Sequence, residues 1–184
     1  MYPIGKGGSR MDRAVFLDRD GVINEVLSKR VKFVNSPEDF HLLSGVGKAI
    51  RKMNQTGWKV FVVTNQGGIG LGYMTEDALG RIHEEMGQQL SAFGAYVDDV
   101  DYCPHMPQAG CRCRKPKPGM LLALADKHDI DLSRSYMAGD REPDIDAGRN
   151  AGTKTVFIGH GKKQKVAADE NFPDLAAFAA WLTD

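Results

Sequence analysis

A chain of 184 residues is long enough to bury a full core as one domain without help from disulfides. Its 24 basic and 24 acidic residues cancel, which argues against a general electrostatic partnership with nucleic acid or anionic membrane, so anion binding must be local. The amino terminus lacks the apolar core of a signal peptide and no apolar run reaches spanning length, so a cytoplasmic location is expected.

Residues 1–10 read as a flexible tail, with a single folded domain expected over residues 11–184. Gly5-Lys6-Gly7-Gly8-Ser9 evokes a phosphate loop but follows no strand and lacks the Gly-x-x-x-x-Gly-Lys-Ser/Thr spacing. The apolar run at 13–17 predicts a first strand, followed by a helix at 45–54 that ends near Gly57 and a strand at 59–64. After a glycine-rich turn, Thr75 is the N-cap of a helix running to about residue 93, with Glu76 and Asp77 favourable in its first turn. A strand at 100–103, a helix at 120–128, a strand at 135–138, a short helix at 144–150, a strand at 154–158 and a closing helix at 173–182 complete the alternation. Strand and helix units without a hairpin signal call for an α/β fold: a doubly wound, Rossmann-like parallel sheet covered on both faces, with ligands at the carboxyl ends of its strands.

Four polar clusters fall just beyond predicted strands. Asp18 and Asp20 end the first strand; side chains alternate there, so both carboxylates face one site while Arg19 points elsewhere, and Gly21 permits a sharp turn. Such a pair offers a nucleophile beside a proton donor, though a simple cap or turn explains it almost as well alone. Thr64-Asn65-Gln66-Gly67-Gly68 places a hydroxyl and exposed amides where phosphoryl oxygens can be held. Arg114 and Lys115 bring a bidentate fork and a compact charge, stiffened by Pro116 and Pro118. Asp140, after the run at 136–138, is a hard oxygen ligand suited to Mg²⁺ together with Asp18, while Asp144 is open between a structural role, orienting the loop or capping the next helix, and a catalytic one.

The cysteines cluster. Cys103-Pro104-His105 and Cys111-Arg112-Cys113 offer three thiolates and an imidazole, a full tetrahedral set for a closed structural Zn²⁺ site. The metal would staple a loop with no core of its own and fix Arg114 and Lys115 directly after the last ligand. Redox sensing by Cys111 and Cys113 is the lesser alternative.

In this order the clusters resemble the haloacid dehalogenase-like phosphohydrolases over most of the chain. The resemblance implies Asp18 as nucleophile, Asp20 as general acid/base, Thr64 and Lys115 as stabilisers of the transferring group, and Mg²⁺ at Asp18, Asp20 and Asp140. Asp-Arg-Asp-Gly, Thr-Asn-Gln-Gly-Gly-Ile-Gly, the zinc loop and Arg-Lys-Pro-Lys-Pro-Gly-Met are similar to the D-glycero-D-manno-heptose 1,7-bisphosphate 7-phosphatases. That group implies substrate contacts at Asn65, Gln66, Gly67, Arg114, Lys115 and Arg141. The related histidinol-phosphate phosphatases share the zinc loop and supply the alternative substrate; a zinc-stabilised binding protein is the alternative without catalysis.

The intervals between Asp20 and Thr64 and between Thr64 and Lys115 are filled by core elements, which leaves no room for a large cap domain. Selectivity is therefore expected from the loop between Glu25 and Asp39, whose start is basic and partly apolar, and from the zinc loop. The expected ligand is a small phosphorylated sugar, with no nucleic-acid or membrane partner, and the resemblance implies a monomer. His41, His83, His128 and His160 read as surface or packing residues, and Trp58, Phe61, Phe172, Phe178 and Trp181 as packing.

Overall fold

The computed structural model describes residues 11–159 and 166–184, so the tail assigned to residues 1–10 and the reading of His160 lie outside the described residues. Six strands form one sheet in the order β3-β2-β1-β4-β5-β6: β1 (Ala14–Leu17), β2 (Lys59–Asn65), β3 (Asp99–Cys103), β4 (Tyr136–Gly139), β5 (Lys154–Ile158) and β6 (Glu170–Phe172). Every pairing is parallel, with Val15 opposite Val60 on one side and Tyr136 on the other. The chain winds outward from β1 to β3 and then returns to the other side of β1, so β1 and β4 meet at a topological switch point.

Period-two burial divides the core. Val15, Leu17, Val60 and Val62 pack on one face with Ile50 and Met53 of α1 (Val46–Gln55), Ile82 and Met86 of α2 (Glu76–Ser91) and Phe178 of α5 (Leu175–Thr183). Ala14, Phe16, Phe61 and Val63 pack on the other with Met120, Leu121 and Leu124 of α3 (Gly119–His128) and Ala147 of α4 (Glu142–Ala151). The element order inserts no cap domain among the described residues, in agreement with the spacing argument. No helix among them is long and apolar enough to cross a membrane.

Two differences from the sequence reading have local causes. Strand β6 is too short and polar to carry a periodic signal; it exists because Glu170, Asn171 and Phe172 pair with Val156, Phe157 and Ile158, and Gly159 N–H donates to Phe172 O at 2.9 Å. Helix α4 starts at Glu142, before the predicted Asp144, because Pro143 is accepted in a first turn and Asp144 closes a capping box onto the Arg141 backbone. As expected for packing residues, Phe178 lies against Phe172 and Trp181, and His128 sits beside Phe61 while meeting Asp99 at 2.7 Å.

Candidate active site

The carboxyl ends of β1, β2 and β4 surround one point. Asp18 leaves β1 with its N–H bonded to Ala138 O of β4 at 3.0 Å, which aims its carboxylate at the switch point. Lys115 Nζ donates to Asp18 Oδ1, to Val63 O of β2 and to Asp144 Oδ1, each at 2.7 Å. All three donors of a buried ammonium are thus in use. Burial, then the neighbouring Asp144 charge, pushes Asp18 up to about 7 against the pull of Lys115. Burial alone would lower Lys115, but Asp144 and Asp18 outweigh it and hold the ammonium above its ordinary value.

Asp18, Asp140 and Asp144 bring ligand oxygens within 4.8 Å of one another, all three buried. Among the described residues these three buried carboxylates offer an all-oxygen donor set, which fits a hard divalent cation such as Mg²⁺. Gly21 is part of this cradle: at φ +87° a Cβ there would lie 2.5 Å from Asp140 Oδ2. Asp144 accepts Arg141 N–H at 3.1 Å through Oδ2, which caps α4, and meets Lys115 through Oδ1.

The Asp20 carboxylate belongs to a different set. It accepts from Arg19 Nη2 at 3.0 and 3.1 Å, Arg19 Nε at 3.3 Å, Asn24 Nδ2 at 2.9 Å and Gln66 Nε2 at 3.1 Å. Arg19 therefore does not point away from Asp20; β1 ends at Leu17, and beyond it the turn around Gly21 replaces strict alternation. Burial works to raise Asp20, yet Arg19 and the amide donors outweigh it and hold the carboxyl below the usual range. The carboxylate oxygens that lie within 4.8 Å of one another are those of Asp18, Asp140 and Asp144.

Thr64, almost fully buried near the end of β2, receives Gln66 Nε2 at 2.8 Å, so one amide bridges Thr64 and Asp20. Asn65 spends its side chain on the Lys115 backbone, donating to its carbonyl at 3.1 Å and accepting its N–H at 3.0 Å. That geometry makes Asn65 a clamp on Lys115. Gln66, Gly67, Arg114, Lys115 and Arg141 all line a cavity of about 840 Å³ that opens over Asp18 and Asp20. Its mouth carries Leu27, Phe33, Leu71 and Tyr73, all exposed.

The zinc-loop side chains converge. Cys103 Sγ lies 3.5 Å from Cys111 Sγ and 3.5 Å from His105 Nδ1, which is 3.3 Å from Cys113 Sγ. Zn–S bonds of about 2.3 Å place neighbouring sulfur ligands of a tetrahedron about 3.8 Å apart, so the four donors fit Zn²⁺ with a small outward shift. Burial and the adjoining thiols push Cys113 up to about 12, crowding that a bound cation relieves. The loop packs backbone to backbone on the phosphate turn: Gln66 N–H donates to Cys103 O and Gly70 N–H to Pro104 O, both at 2.8 Å. A Cβ on Gly70 would meet Met106 N at 2.7 Å.

Sequence reasoning passed over Arg19, Asn24 and His83. Arg19 is completely buried and Asn24 equally so. One signal was available for His83: it falls four residues after Leu79 and three before Met86, on the buried stripe of α2.

A parallel sheet with an acidic pair at the end of β1, a lysine held against it and a second acidic group after β4 defines a haloacid dehalogenase-like hydrolase, and a family model described as "HAD-hyrolase-like" matches residues 112–180. The chain is 36% identical over 177 residues to the D-glycero-beta-D-manno-heptose-1,7-bisphosphate 7-phosphatase of Bordetella bronchiseptica, covering 92% of this chain and 97% of the relative. It is 40% identical over 154 residues to the D-glycero-alpha-D-manno-heptose-1,7-bisphosphate 7-phosphatase of Burkholderia mallei, covering 80% of this chain and 79% of that one. The crystal structure of the B. bronchiseptica D,D-heptose 1.7-bisphosphate phosphatase, complexed with magnesium and phosphate, matches with a TM-score of 0.85 over 92% of this chain and 97% of that one, at 36% identity. The chain belongs to the family of D-glycero-D-manno-heptose 1,7-bisphosphate 7-phosphatases.

Proposed function

We propose that this chain is a Mg²⁺-dependent phosphomonoesterase that removes the 7-phosphate of D-glycero-D-manno-heptose 1,7-bisphosphate through an aspartyl-phosphate. The observation that carries the reading is Asp18, fixed between Lys115 and the Asp140 and Asp144 carboxylates at the floor of the cavity. Asp18 attacks phosphorus while the bond to the sugar oxygen breaks and Asp20 gives that oxygen its proton. Asp20 then takes a proton from water as the water attacks the phosphoryl group, which releases phosphate, frees the Asp18 carboxylate and restores protonated Asp20. Arg19 favours ionised Asp20, which suits the second step; the arriving phosphoryl dianion favours the protonated form needed in the first.

Asp18, Asp140 and Asp144 would hold Mg²⁺, which when bound offsets the repulsion between an anionic nucleophile and an anionic substrate. Thr64 and the turn amides after it receive the phosphoryl oxygens, Lys115 supplies its charge beside Asp18, and Arg114 and Arg141 flank the sugar. The Zn²⁺ loop orders Arg114 without taking part in the chemistry. Leu27, Phe33, Leu71 and Tyr73 form an apolar wall that favours a second reading, an imidazole-bearing phosphate such as histidinol phosphate.

A phosphate-release screen decides among these. Mg²⁺-dependent release should be fastest with a heptose 1,7-bisphosphate, offered as both anomers, and slower with histidinol phosphate and common hexose phosphates. Asp18→Asn should abolish turnover with zinc content and fold unchanged. Preference for histidinol phosphate would replace the first reading with the second, and turnover retained by Asp18→Asn would remove the assigned nucleophile.

A further inference from the structure

We propose that His83 of α2 is a positioning residue for Asp20, acting through the buried guanidinium of Arg19. The proposal rests on the reading of Asp20 as general acid/base. Arg19 has no exposed surface, and its Nε and Nη2 are spent on the Asp20 carboxylate. Its Nη1 lies 3.3 Å from His83 Nε2. A guanidinium nitrogen can only donate, so His83 Nε2 accepts and the ring is the neutral tautomer with its hydrogen on Nδ1. Burial, with Arg19 beside it, pushes His83 down to about 4, in keeping with a ring that stays neutral. The ring is also braced edge-on by Tyr102 of β3, at 6.2 Å between centroids.

The other donors to Asp20 come from the loops that carry it or face it, Asn24 from the turn after β1 and Gln66 from the turn after β2. His83 alone among these groups stands on a long helix packed into the core, where Leu79, Ile82 and Met86 anchor the same face. It therefore ties the orientation of the Arg19 fork, and through it Asp20, to the body of the fold. Side-chain accessibility of 25% at Asp20 leaves an open side for proton transfer, so a small rotation of the carboxylate changes its reach. Without an acceptor on α2, the buried Nη1 loses its partner, and the guanidinium turns to recover one, carrying the carboxylate with it.

The prediction separates proton transfer from everything else at the site. Protonation of the leaving oxygen matters for a sugar alkoxide and much less for the stable 4-nitrophenolate ion. His83→Leu should lower kcat/KM for the sugar phosphate relative to 4-nitrophenyl phosphate by about tenfold, with KM for the sugar phosphate changed by less than about twofold. His83→Gln, which keeps an acceptor near the Nε2 position, should restore most of that ratio. Because both substrates are assayed on one preparation, the ratio is independent of the fraction that folds.

An equal fall on both substrates, or a His83→Gln variant no better than His83→Leu, would overturn the assignment. So would an unchanged ratio in an active protein, and that result would leave the phosphatase reading standing. A wild-type chain releasing phosphate from neither compound, with Mg²⁺ present, would overturn the phosphatase reading and this assignment with it.

Discussion

The site joins two regions that hold their geometry by different means. At the carboxyl ends of β1, β2 and β4, side chains are fixed by burial: Asp18, Lys115, Asp140 and Asp144 are nearly inaccessible and the strands beneath them pack on both faces. In the loop from Cys103 to Cys113, only Cys103 is buried, and four metal-ligating atoms take the place of a core. A sheet edge can hold charge in place because its backbone is already rigid, whereas an exposed polar loop needs a crosslink to present Arg114 reproducibly. The two regions meet at Asn65, whose side chain clamps the Lys115 backbone just after the last cysteine.

The sharpest way to break the buried half is to remove its cation. Lys115→Met removes the ammonium held between Asp18 and Asp144, and should lower turnover by about a thousandfold or more and, in Mg²⁺-free protein, stability by about 3–5 kcal/mol. Steady-state assays and urea unfolding check the two effects, and near-wild-type stability would show that the carboxylates relax without the lysine.

The zinc half should fail differently. Joint substitution Cys111→Ser and Cys113→Ser should abolish zinc retention, read by metal analysis, and raise KM by about 10- to 100-fold while far-UV circular dichroism shows the helices intact. Loss of the whole fold in this variant would contradict the division into a self-supporting sheet and a metal-held loop. Chelated protein given Mg²⁺ alone should keep the raised KM, and added Zn²⁺ should restore it.

Smaller effects probe the joints. Gly21→Ala forces a Cβ toward Asp140 Oδ2 at a positive φ, and the Mg²⁺ concentration for half-maximal activity should rise by about tenfold. Asn65→Ala frees the Lys115 backbone from two hydrogen bonds; the expected cost is about 1–2 kcal/mol in urea unfolding, with a few-fold rise in KM. No rise in KM would mean that the zinc loop positions Arg114 and Lys115 without this clamp.

Much of this arrangement was legible in the chain. Apolar runs ending in Asp18, Thr64 and Gly139 marked strands whose carboxyl ends share one edge, and the paired cysteines marked the crosslinked loop. Less legible was the pairing of charges within the site. Asp20 and Asp140 look equivalent as acidic residues after strands, yet one is held by Arg19, Asn24 and Gln66 and the other stands with Asp18 and Asp144. Asn65 sits in a phosphate-turn motif but directs its side chain to Lys115, and His83 differs from an ordinary packing histidine only by what lies 3.3 Å away.

By itself the sequence determined the alternation of strands and helices, the lack of space for a large cap in the two intervals, and the acidic, basic and thiol groups that fall just beyond the strands. These are local properties, set by periodicity, turn residues and donor type along a short stretch. Only the tertiary structure decided which carboxylate pairs with which cation, the addition of β6, and the burial of Arg19 between Asp20 and His83. Those outcomes depend on side chains far apart in the chain being desolvated together, where a buried charge must take whichever partner the packing supplies.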